Sequence, residues 1–73
     1  MAYNYNKLKG RIKELFGTQE AFAKRLGMSS VSLSARLNNK NDWTQGEIYE
    51  ASDALGVLGK PEEVISLFFT QAS

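Results

Sequence analysis

Histidine and cysteine are both missing from this chain, and proline occurs once. Without cysteine there is no disulfide frame and no thiolate metal site, and neither a metal nor another cofactor is expected. The same two absences remove the side chains that most often serve as general base and thiol nucleophile. No motif places a pair of carboxylates, and no glycine-rich phosphate loop of the P-loop kind occurs, so catalysis is not expected. No apolar run approaches the roughly 18 residues of a membrane span. The opening "MAYNYNKLKG" has no apolar signal core, and a chain free of cysteine suits a reducing cytoplasm.

What is present suits one small domain over residues 1–73, with 42 % hydrophobic residues to build a modest core. The net charge of +1 hides a division. Residues 1–40 hold eight basic and two acidic groups, a net +6, whereas residues 41–73 hold one basic and six acidic groups, a net −5. Such asymmetry points to a polyanion partner for one side and a solvated or partner-facing surface on the other.

Apolar residues recur at helical spacing and nowhere alternate, which predicts an all-α fold of five helices. The first helix runs from about Tyr5 to Phe16 on a stripe of Tyr5, Leu8, Ile12 and Leu15, and Gly17 ends it. Thr18 caps the second, "QEAFAKRL", with Phe22, Ala23 and Leu26 inward and Gly27 turning the chain. Ser29 caps the third, which reaches about Asn38 with Leu33 and Leu37 inward. Thr44 and Glu47 form a capping-box pattern for the fourth, whose stripe is Ile48, Ala51 and Leu55. Trp43, just before that cap, reads as a hydrophobic staple or core lid. Pro61 and two glutamates start the fifth, which carries Val64 or Ile65 inward. Phe68 and Phe69 are adjacent, so either one completes the core while the other meets a second subunit, or both lie on a broad buried face.

Two short helices joined by about three residues beginning with glycine form a helix-turn-helix pattern. With Gln19, Ala23, Gly27, Ser29, Leu33 and the closing "LNNK", the run "TQEAFAKRLGMSSVSLSARLNNK" resembles the lambda Cro/CI-type, or XRE-like, family. Asn39 stands where that family often has glycine, and asparagine tolerates the left-handed conformation. The resemblance implies a lambda-repressor-like DNA-binding domain. More narrowly, "NYNKLKGRI", "FGTQ" and an apolar "FF" helix make the chain resemble short regulators from phages of Gram-positive bacteria.

That likeness implies two roles in a lysis–lysogeny switch. One is a Cro-like repressor, expected to be a homodimer on double-stranded operator DNA. The other is an antirepressor that joins a CI-type repressor as a heterodimer. For either role the family pattern implicates Gln19, Ser29, Ser30, Val31, Ser34, Ala35, Asn38 and Lys40. Lys24, Arg25 and Arg36 are expected to add to a phosphate-attracting field. The third helix is an unusual reader, because Ser30, Val31, Ser34 and Ala35 cannot make the bidentate base contacts of arginine, asparagine or glutamine. Operator binding is the main expectation, and Val31 among small side chains also offers a smooth surface to a protein, which keeps the antirepressor as the alternative.

Overall fold

The computed structural model describes residues 2–72. Five helices follow in order: α1 (Asn6–Phe16), α2 (Gln19–Leu26), α3 (Ser30–Leu37), α4 (Gln45–Ala54) and α5 (Pro61–Phe68). Extended pairing among the described residues is limited to one antiparallel bridge between Tyr3 and Gln71.

The helix boundaries follow local chemistry. Thr18 Oγ1 accepts from the Ala21 amide at 3.1 Å, and Ser29 Oγ accepts from the Ser32 amide at 3.1 Å. Each occupies one of the amides that the first turn leaves without a helical partner. At α4 the box closes both ways. The Glu47 amide donates to Thr44 Oγ1 at 3.1 Å, and the Thr44 amide donates to Glu47 Oε1 at 2.9 Å. Gly27, at φ 72°, supplies the left-handed step that lets α3 start with only three residues between it and α2. The third helix stops at Leu37, one residue short of the sequence-based expectation, and Asn38 is its C-cap.

One core joins all five helices. Leu8, Ile12, Phe22, Leu33, Ala51 and Leu67 are completely buried. The expected stripe of α1 fails at its last member, since Leu15 is 51 % exposed. In that turn the neighbouring Phe16 packs on the core instead, its ring 5.0 Å from that of Phe22. Leu26, Ile48 and Val64 flank the core half-buried, and Ile65 is exposed. The phenylalanine pair divides: Phe68 is buried edge-on to Trp43 at 5.1 Å, and Phe69 is exposed with its ring 6.0 Å from Tyr3. Trp43 is thus a lid over the core. Val57, between α4 and α5, is buried without any periodic signal to announce it.

The segments around Tyr3 and Gln71 run side by side, with the Asn4 amide donating to the Thr70 carbonyl at 2.7 Å. Asn39 adopts φ 61°, the left-handed conformation that the sequence suggests. Its side-chain amide then pairs with both backbone groups of Tyr3, accepting from the amide and donating to the carbonyl, each at 2.9 Å. Asn39→Ala should cost about 1–2 kcal/mol, combining two partly exposed hydrogen bonds with left-handed strain. Asn39→Gly should cost less, because glycine keeps the backbone without strain. Urea denaturation of both variants tests this, and equal losses would remove strain from the account.

Candidate functional site

The start of α2 and the outer face of α3 enclose an open depression of about 510 Å³, lined by Gln19, Glu20, Ser30, Val31, Ser34, Ala35, Asn38 and Lys40. Seven of the eight residues singled out in the sequence therefore share one surface. Ser29 is apart from it, its hydroxyl engaged as the α3 cap and donating to Ser32 Oγ at 3.0 Å. Glu20 joins the surface unforeseen. Its position beside Gln19 in the first exposed turn of α2 was the available signal.

The surface is small-featured and apolar at its middle. Ser34 and Ala35 are half-buried, whereas Val31 is 78 % exposed, the most of any large apolar side chain among the described residues. Inward, Leu33 and Leu37 fix this orientation by filling the core. Asn38 is exposed, but its side-chain amide nitrogen is already engaged. Its Nδ2 donates back to the Ser34 carbonyl at 2.8 Å and to Ser34 Oγ at 3.2 Å.

The expected cationic field is weaker than the residue count suggests. Arg36 Nε and Nη2 donate to the two carboxylate oxygens of Glu47 at 2.8 and 2.9 Å, and Nη1 donates to the Ser32 carbonyl at 3.0 Å. This fork–fork geometry engages three of the five guanidinium donors. It is a brace between α3 and α4. Arg25 pairs with Asp53 at 3.5 Å and Arg11 with Glu63 at 3.4 Å. The basic and acidic halves of the chain thus face each other through their arginines. Among the described residues, Lys24, Lys40 and Glu20 are in no ion pair.

Glu47 serves two structures with one carboxylate, the α4 cap and the brace to α3. The hydrogen bond from Arg36 holds its carboxyl below the usual carboxylate range, burial opposes this, and the Thr44 amide adds to the lowering. Because the folded-state pKa is depressed, this contribution is complete above the unfolded carboxylate pKa. It is lost as pH falls through the lower folded value. Glu47→Gln should lose about 1–2 kcal/mol at neutral pH, the scale of a helix cap plus a partly exposed pair. The gap to the native chain should narrow in acid. Denaturant midpoints at neutral and strongly acidic pH check this, and a gap independent of pH would contradict it.

A small five-helix domain whose third helix presents one face to solvent is the class that these features define. The chain belongs to the DUF739 family, described as proteins of unknown function, whose profile matches residues 1–71. It is also similar to the modulator of repression of the temperate bacteriophage TP901-1 from Lactococcus lactis, known from its solution structure. The two share 38 % identity over 94 % of this chain and 90 % of that one, with a TM-score of 0.78. No curated protein matches the chain. The likeness is thus to a phage regulator, in line with the narrower resemblance drawn from the sequence. No helix of the described residues is long and apolar enough to cross a membrane.

Proposed function

We propose that this protein is a non-enzymatic phage regulator that modulates repression by holding a cognate CI-type repressor through the α3 surface. The observation that carries the reading is Val31, an exposed apolar side chain standing over half-buried small residues. Such a surface offers packing to a protein and little to base edges. The hydrogen bonds that the Arg36 guanidinium and the Asn38 side-chain amide make within the chain support the same reading. So does the likeness to a phage modulator of repression.

Operator binding through a helix-turn-helix is the second reading, favoured by Gln19 at the start of α2 and by the unpaired Lys40 beyond α3. These positions suit two phosphate contacts on a duplex. In that case Lys40→Ala would weaken all sequences about equally and flatten the salt slope by roughly one unit. The deciding experiment is an electrophoretic shift of DNA from the chain's own genetic neighbourhood, with and without the adjacent repressor. Loss of the repressor's shift, with none from this protein alone, supports modulation. A shift by this protein alone, with the repressor's shift intact, overturns it.

A further inference from the structure

The depression on α3 is flanked by two unpaired charges of opposite sign. Glu20 stands on α2, and Lys40 lies just past the C-terminal end of α3. Both are exposed, and neither meets a counter-ion among the described residues. All three arginines, by contrast, are paired within the chain. The unmatched charges on this surface are therefore an anion on α2 and a cation past the end of α3, which line the depression together with Val31 and Ala35.

We propose that the protein partner carries a matching pair, a basic side chain against Glu20 and an acidic one against Lys40, on either side of an apolar contact to Val31. The inference rests on the modulator reading and adds the partner's chemistry and orientation to it. Opposed charges at an interface fix register and reject mismatched surfaces. A partner docked end for end would place like charges together at both sites. This gives Glu20 and Lys40 the role of selecting one repressor surface, while Val31 supplies packing.

A mixed-charge partner differs from a uniformly charged one in the sign of two substitutions. Against a matching pair, Glu20→Lys and Lys40→Glu each weaken binding. Against a polyanion such as DNA, Glu20→Lys strengthens binding and Lys40→Glu weakens it, so the double variant nearly cancels. The test is calorimetric titration of the purified chain and its charge variants with the purified CI-type repressor encoded beside it. Each reversal should raise the Kd about tenfold, and the double variant about a hundredfold, the additivity expected of separate sites. Lys13→Glu, on α1 and outside the depression, should leave the Kd unchanged, and all variants should melt as the native chain does. Native binding that ignores both reversals, responds with opposite signs, or responds equally to Lys13→Glu overturns the charge pairing and leaves the modulator reading standing. Absence of binding by the native chain overturns both.

Discussion

Leu33→Ala should lose about 2–5 kcal/mol of folding stability, the range for truncating a buried leucine that leaves a cavity. Leu33 has no exposed surface, and with Leu37 it seats α3 in the core. Nearby on α2, Ala23 is 1 % exposed, a small residue at a close helix approach. Neighbours held that tightly do not collapse readily into a new void. Domains have only about 5–15 kcal/mol in total, so the variant should show a much lower urea midpoint. Circular dichroism during urea titration measures it. A loss under about 1 kcal/mol would mean that α3 is seated differently, since such a value lies below the range for a buried leucine.

Val31→Glu should have the opposite profile, with stability kept and function lost. The side chain is largely in solvent, so a carboxylate there meets water in the free protein. Its melting temperature should stay within about 2 °C of the native value, as for surface substitutions in general. In a complex with a repressor the same carboxylate becomes buried without a partner, a cost of several kcal/mol. Binding should therefore weaken at least about a hundredfold, the scale of an interface hot spot. Thermal melts and titration with the adjacent repressor decide the matter together. A folded Val31→Glu that binds the repressor as the native chain does would remove α3 as the working surface.

Much of the fold is readable from local chemistry because local chemistry forms it. Thr18, Ser29 and Thr44 cap the helices that their sequence positions predict, and Asn39 takes the left-handed conformation. Periodicity is less complete. It puts Leu15 on the same face as Leu8 and Ile12, but a stripe says nothing of where the neighbouring helices end. Val57 lacks a stripe altogether and is buried by the chain reversal between α4 and α5. The surface around Val31 is legible because Leu33 and Leu37 fix the rotation of α3. The electrostatics are not legible in the same way. Net charges of +6 and −5 describe two stretches of sequence, whereas Arg11 meets Glu63 and Arg25 meets Asp53 across 52 and 28 positions of chain. Pairings that distant depend on tertiary approach, and no local pattern reports them.

The contact of Asn39 with Tyr3 has a kinetic consequence. Tyr3 is held at once by the loop after α3 and by the bridge to Gln71, a pairing between segments near opposite ends of the described chain. Contacts of long sequence separation close late, after most of the loop entropy has been spent. The α2–α3 hairpin can form early from its own caps, but its far end gains this anchor only when the two strand-like segments meet. In hydrogen exchange, the Tyr3 amide should then behave as a reporter of the whole cooperative unit rather than of a fraying edge. The C-terminal end of α3 would then open with the global transition.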